Sequence, residues 1–177
     1  MILSTKRLVV FALLLVLILP AQQAWSENLI HRFAANESNS IAPFLVLGEL
    51  SLARDGAVAK PEMVQGFKAL VTTGLLTEML KYGIRERRPN STSFDSFPSG
   101  HTSTAFAMAT VLADYHPHYA VAAYAMATGI AWSRLEVGAH HIQDVFAGAA
   151  LGYFTAKHFT NKHIEISATG AAYNWKW

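Results

Sequence analysis

At 177 residues, 52% of them hydrophobic, the chain can bury one sizeable core but has no room for a second full domain. It holds no cysteine, which excludes disulfides, thiolate chemistry and cysteine-ligated zinc, so packing alone must stabilise it. The formal charge of +2 disappears once Lys6 and Arg7 are set aside, and no broad basic field argues for a nucleic-acid partner.

In chain order, residues 1–26 read as an export signal: Lys6-Arg7, the apolar stretch Leu8 to Pro20, and the small-x-small site Ala24-Trp25-Ser26. That apolar stretch is shorter than the roughly 20 residues of a membrane span, and a retained anchor is the rival reading. Cleavage would leave a periplasmic or extracytoplasmic protein. Residues 27–60 form a polar lead-in and a short helix, Ile41 to Ala53, followed by a turn at Asp55-Gly56. Residues 61–160 form the core. Pro61-Glu62 opens a helix that runs to about Tyr82, with Gly83 as its stop signal. Arg85 to Pro98 is a loop, Thr102 to about Tyr115 a helix ended by His116-Pro117-His118, and Tyr119 to about Trp132 a small-residue helix. Leu135 to Ala139 is a connection, and His140 to about Phe159 the final helix.

On that last helix Gly148 and Gly152 stand four apart, a spacing that lets helix backbones approach closely. In the tail, 161–177, Tyr173, Trp175 and Trp177 alternate with Asn174 and Lys176, which suits one exposed strand, an interfacial anchor or a docked terminus. Lys68, Glu78 and Asp114 interrupt or end the apolar stretches. The expectation is an all-α compact bundle of five to six helices with an active site between them, and peripheral membrane contact stays open.

Three strings carry chemistry: Lys81 with Arg88-Pro89 after six intervening residues, Pro98-Ser99-Gly100-His101, and Ser133-Arg134 with His140 and Asp144 downstream. Ser99 and Gly100 open a helix whose unpaired N–H groups favour an anion, and Gly100 removes the side chain that would block approach. Taken alone, the same string also fits an ordinary serine N-cap beside a histidine. His140 and Asp144, four apart on one helical face, let a carboxylate orient one ring nitrogen and leave the other free to act. His141 points about 100° away and reads as structural or as a support behind the catalytic groups. Lys81, Arg88 and Arg134 suit a charge clamp, since a guanidinium fork matches phosphoryl oxygens. Arg85 and Arg87 face solvent or substrate.

Together these strings resemble the type 2 phosphatidic acid phosphatase superfamily, which also includes bacterial class A acid phosphatases and vanadium haloperoxidases. Its pattern, Lys-x6-Arg-Pro, Pro-Ser-Gly-His and Ser-Arg-x5-His-x3-Asp, is met at every specified position from Lys81 to Asp144. The resemblance implies that His140 is a nucleophile forming a phosphohistidine, with Asp144 orienting it. It implies that His101 protonates the leaving oxygen and then activates water, and that Lys81, Arg88, Ser99, Gly100 and Arg134 hold the phosphoryl oxygens. No metal or cofactor is implied, because fixed cations and helix N–H groups supply the stabilisation.

The expected protein is therefore an exported phosphatase of phosphate monoesters or diphosphates. Its substrate is a phosphorylated lipid, placed ahead of a small soluble phosphomonoester. The alternatives are a soluble periplasmic non-specific acid phosphatase and a vanadate-dependent haloperoxidase. Vanadate would be an inhibitor of a phosphatase and, in the haloperoxidase reading, a cofactor held by His140. A non-catalytic helical protein with a phosphate pocket would not require both His101 and His140. A metal hydrolase using His101, His140 and His141 lacks a carboxylate cluster.

Overall fold

The computed structural model describes residues 40–53, 59–160, 164–167 and 170–173, together with Ala34. The export signal expected over 1–26, the turn at Asp55-Gly56, Trp175 and Trp177 lie outside the described residues. The helices are α1 (Ile41–Leu52), α2 (Ala59–Ile84), α3 (Gly100–Tyr115), α4 (Ala120–Glu136) and α5 (Ile142–Thr160), with a 3-10 turn at Pro117–Tyr119. The all-α expectation holds for this body. The tail differs from a single strand: β1 (Ile164–Ser167) pairs antiparallel with β2 (Gly170–Tyr173), Ile164 opposite Tyr173 and Ser167 opposite Gly170.

Helix α3 is the centre of the bundle and packs on α1, α2, α4 and α5. Its partner α5 approaches most closely because glycine faces it. A Cβ on Gly152 would lie 2.0 Å from the Ser103 carbonyl oxygen, and one on Gly148 2.7 Å from the Ser99 carbonyl oxygen. The Gly148/Gly152 spacing is thus a packing device, as the sequence suggests. Away from that seam, Phe44, Leu52, Met108, Leu112, Met126 and Ile130 fill the core between α1, α3 and α4.

The outer helices are built inside out. Helix α2 turns Gly66, Ala69, Thr73 and Thr77 inward, while Phe67, Leu75 and Met79 are 63%, 62% and 69% exposed. Helix α5 buries Gly148, Gly152 and Ala156 and exposes Phe146 and Phe154. No described helix is long and apolar enough to cross a membrane.

Of the helix boundaries that depart from the sequence reading, three have a clear local cause. Helix α2 runs through Gly83 and stops at Arg85, whose φ of 53° is left-handed while its N–H still bonds to the Lys81 carbonyl. Helix α4 continues four residues past Trp132 to Glu136 and turns at Gly138, φ 64°, the conformation a glycine adopts without strain. Helix α5 starts at Ile142 rather than His140, because the Asp144 carboxylate reaches back to the His141 N–H and caps the first turn.

Candidate active site

The end of α2, the starts of α3 and α5 and the end of α4 meet at one end of the bundle. Gly100 lies against Thr77 and Lys81, so a Cβ there would be 3.6 Å and 4.0 Å from their side chains. The Ser99 N–H bonds to the Asp144 carbonyl at 3.0 Å, and the His140 N–H reaches the Arg134 carbonyl at 3.3 Å. These contacts bring all three strings to one place.

His140 and Asp144 do not share a helix, as the sequence reading has them. His140 sits in the connection before α5 and Asp144 in its first turn, yet the pair still meets: His140 Nδ1 lies 3.5 Å from Asp144 Oδ2, and both side chains are buried. That contact is longer than a formed hydrogen bond, but it turns Nδ1 toward the carboxylate and leaves Nε2 for chemistry. Asp144 Oδ2 also accepts from the Ser96 hydroxyl at 2.5 Å and from the His141 N–H at 2.8 Å. Burial pushes the Asp144 carboxyl up, but the Ser96 and His141 hydrogen bonds and the neighbouring imidazoles outweigh it, and the net pKa lies below the usual value.

Ser99 is fully buried and precedes α3, but its hydroxyl makes no cap bond. It accepts instead from Thr102 Oγ1 at 3.0 Å, which leaves its own proton to donate. The Arg85 to Pro98 loop folds back on itself through Arg88 N–H to Ser93 O, 3.0 Å, and Ser96 N–H to Glu86 O, 2.9 Å. Arg88 and Asp95 consequently face each other, with Nε and Nη2 each donating to the carboxylate at 2.8 Å. Lys81, buried at the end of α2, donates to the Asp95 carbonyl. Arg134 Nε is buried with no hydrogen-bond partner among the described residues.

The electrostatics show the same assembly. Burial, then Arg134, Arg88 and Lys81, push the His101 imidazole down to about 4. Burial, then Arg88, Lys81 and Arg134, push His140 down to about 4 against the opposing pull of Asp144. Both rings are thus neutral near pH 7 and feel the same three cations. Lys81 is itself lowered, by burial and then by Arg88.

A family model described as PAP2 superfamily matches residues 64–166, more than half of the chain. The chain belongs to the PAP2 superfamily. It is 37% identical over 101 residues to a lipid A 1-phosphatase of Rhizobium etli, covering 49% of this chain and 44% of that protein. A lipid A 1-phosphatase of Porphyromonas gingivalis is 37% identical over 102 residues, covering 54% of this chain and 22% of the relative. The chain thus spans less than half the length of these curated relatives. In fold it is similar to the crystal structure of Aquifex aeolicus LpxE, with a TM-score of 0.63 and 24% identity over 84% of this chain and 94% of that one. It is also similar to a transmembrane PAP2-type phosphatidylglycerolphosphate phosphatase from Bacillus subtilis, with a TM-score of 0.61 and 21% identity over 90% and 89% of the two chains.

Within this PAP2 site, His101, His140, Asp144, Lys81, Arg88, Ser99, Gly100 and Arg134 all come to one end of the bundle. Sequence reasoning missed Ser96 and Asp95. Both lie in the loop at no motif spacing, and the only signal was that a polar stretch sits between two chemical strings. His141, read from the sequence as structural or as supporting the catalytic groups, has Nδ1 3.3 Å from Glu86 Oε1 and 3.4 Å from Asp144 Oδ2. Glu86, His141 and Asp144 could offer a metal three ligand atoms within 4.8 Å. The Asp144 oxygen nearest His141 already accepts two hydrogen bonds, so the group reads as a brace behind the carboxylate.

Proposed function

We propose that the protein is a membrane-associated phosphatase that removes a phosphate monoester from a lipid, lipid A 1-phosphate or a close analogue, through a phosphohistidine on His140. One observation carries this reading: two neutral imidazoles share the field of Lys81, Arg88 and Arg134, with Asp144 held behind one of them. His140 Nε2 attacks phosphorus, the ester P–O bond breaks, and the leaving oxygen takes a proton from His101, which is neutral in the free protein and takes up that proton as the phosphate dianion binds. A water then gives its proton to His101 and attacks phosphorus; the N–P bond breaks, and inorganic phosphate departs. Lys81, Arg88, Arg134, the Ser99 hydroxyl and the N–H groups at the start of α3 neutralise the oxygens in both steps.

The lipid substrate is supported by the relatives' names and by the apolar outer faces of α2 and α5, which suit contact with acyl chains better than with water. The extracytoplasmic location rests on the Lys6-Arg7 and Leu8 to Pro20 string alone.

The test is phosphate release by the full chain in detergent with EDTA, from lipid A 1-phosphate, phosphatidate and p-nitrophenyl phosphate. Release should survive EDTA, disappear in His140→Ala and persist in His141→Ala, and a phosphoenzyme should be trapped by acid-sensitive labelling. Turnover in His140→Ala would remove the nucleophile. Halide oxidation with vanadate and peroxide in place of phosphate release would favour the haloperoxidase reading.

A further inference from the structure

Helix α3 carries one serine and three threonines, and one of them bonds unlike the others. Ser103 Oγ and Thr104 Oγ1 donate to the Gly100 carbonyl at 3.1 Å and 2.9 Å, and Thr110 Oγ1 donates to the Phe106 carbonyl at 2.7 Å. A carbonyl one turn back is the ordinary partner of a hydroxyl inside a helix. Thr102 Oγ1 donates instead to the Ser99 hydroxyl, at 3.0 Å. Both side chains are fully buried, and the Thr102 hydroxyl has no other hydrogen-bond partner among the described residues.

That bond decides what the Ser99 hydroxyl can do. A serine ahead of a helix ordinarily accepts from a backbone N–H of the first turn, but here the oxygen accepts from Thr102. A hydroxyl has two lone pairs to accept with and one proton to donate. With Thr102 on one lone pair, the Ser99 proton points away from Thr102, and a phosphoryl oxygen, which only accepts, takes it. Accepting the bond also polarises the Ser99 O–H and strengthens what it donates. Thr102 is itself held in place. Its β-branch restricts χ1, and a Cβ on Gly148 would lie 3.3 Å from its Cβ, so α5 closes over it. Valine has the same shape, so packing alone does not call for the hydroxyl.

We propose that Thr102 is a positioning residue for the phosphatase reaction: buried behind Ser99 and out of reach of the substrate, it fixes the Ser99 hydroxyl as a donor to the phosphoryl oxygens. The proposal rests on the phosphatase reading, in which Ser99 neutralises those oxygens in both steps. Negative charge on them is stabilised most in the transition states, so the effect of Thr102 falls on kcat more than on KM. It acts on the phosphoryl group and not on the leaving group, so it is the same for every phosphate monoester.

The experiment is a double-mutant cycle on the full chain in detergent, with kcat and KM on lipid A 1-phosphate and p-nitrophenyl phosphate, and Tm for each variant. Thr102→Val should lose about tenfold in kcat on both substrates, with KM changed by less than about twofold. Thr102→Ser, which keeps the hydroxyl, should recover to within about threefold of wild type. In a Ser99→Ala background, Thr102→Val should cost less than about twofold more, because no Ser99 proton remains to be aimed. Thr110→Val removes a hydroxyl that is as fully buried and bonds to Phe106 O and Tyr124 Oη; it should lower Tm with kcat within about twofold of wild type. If Thr102→Val does not fold, Thr102→Ala takes its place in the cycle with the same expectations. Unchanged kcat in Thr102→Val, an equal loss with and without the Ser99 hydroxyl, or an equal loss in Thr110→Val would overturn the proposal and leave the phosphatase reading intact. Wild type that releases no phosphate from either substrate would overturn both.

Discussion

The seam between α3 and α5 sets both stability and the site, and alanine substitution of three glycines separates the two. At Gly152 a Cβ would sit 2.0 Å from Ser103 O, 2.8 Å from Ala107 N and 3.0 Å from Ser103 C, all backbone atoms that cannot rotate away. Ordinary contact begins near 3.4 Å, so the helices must part by roughly 1.4 Å, at an overpacking cost of about 1–3 kcal/mol or more. For a chain of this size that lowers Tm by roughly 2–4 °C per kcal/mol. At Gly148 the worst contact, 2.7 Å to Ser99 O, needs only roughly 0.7 Å, yet that shift falls on the residue next to Gly100. Since a misplacement of about 1 Å can cost on the order of 100-fold, Gly148→Ala should lose roughly tenfold in kcat at a smaller change in Tm. Gly74, also helical, has nothing within 4 Å of its missing Cβ, and Gly74→Ala should stabilise by about 0.5–1 kcal/mol with activity intact. The assay is thermal unfolding and p-nitrophenyl phosphate turnover of the three variants in one detergent. If Gly152→Ala and Gly148→Ala behave like Gly74→Ala, the close approach of α3 and α5 does not position the site.

Ser96→Ala removes a buried hydrogen bond to an ionised carboxylate, worth about 1.5–3 kcal/mol, so kcat should fall about tenfold or more and Ser96→Thr should recover it; equal kcat in Ser96→Ala would exclude Ser96 as a positioning residue. Asp95→Asn takes a negative charge off the Arg88 fork, so inorganic phosphate and vanadate should inhibit at lower concentration; the partly exposed ion pair limits the stability change to about 1 kcal/mol. Weaker inhibition would mean that holding Arg88 in place matters more than freeing it. With His140 and His101 lowered to about 4, the acid limb of kcat/KM should fall near that pH; on the same substrate, Arg134→Gln should move it upward, because a cation that disfavours the imidazolium is gone. An unmoved limb would separate Arg134 from the histidines. Because the unfolded chain protonates these histidines near pH 6.5 and the folded chain only near 4, stability should be lost as pH falls through that interval.

The sequence carries the helices and the eight motif residues because both depend on short spacings. Turn residues bound most elements, and three ordered strings locate the cations and histidines. What it leaves out depends on contacts between distant residues. Gly83 looks like a stop, but α2 has an open outer face there and continues to Arg85. His140 and Asp144 stand at helical spacing, yet the cap that Asp144 makes with the His141 N–H starts the helix only after His140. Ser96 is 48 positions from its partner Asp144, and no periodicity reports such a pair. The inward small faces and outward apolar faces of α2 and α5 likewise emerge only once the bundle fixes which side is inside.

In the proposed mechanism, the charges at the site let a histidine with a pKa of about 4 serve as the proton donor. Lys81, Arg88 and Arg134 stand against the carboxylates of Asp95, Asp144 and, beside Lys81, Glu78, so with both imidazoles neutral the fixed charges nearly cancel. A phosphate monoester dianion entering that space makes the local field negative. The three cations that push the proton off His101 are then opposed by the phosphoryl oxygens they hold, and His101 gains a proton as substrate binds. His140 experiences the same change of field, but in the proposed mechanism its Nε2 forms the covalent bond to phosphorus instead. On this account the neutral imidazoles of the free protein are the form that binds and attacks, and the substrate itself brings about the protonation that releases its alcohol.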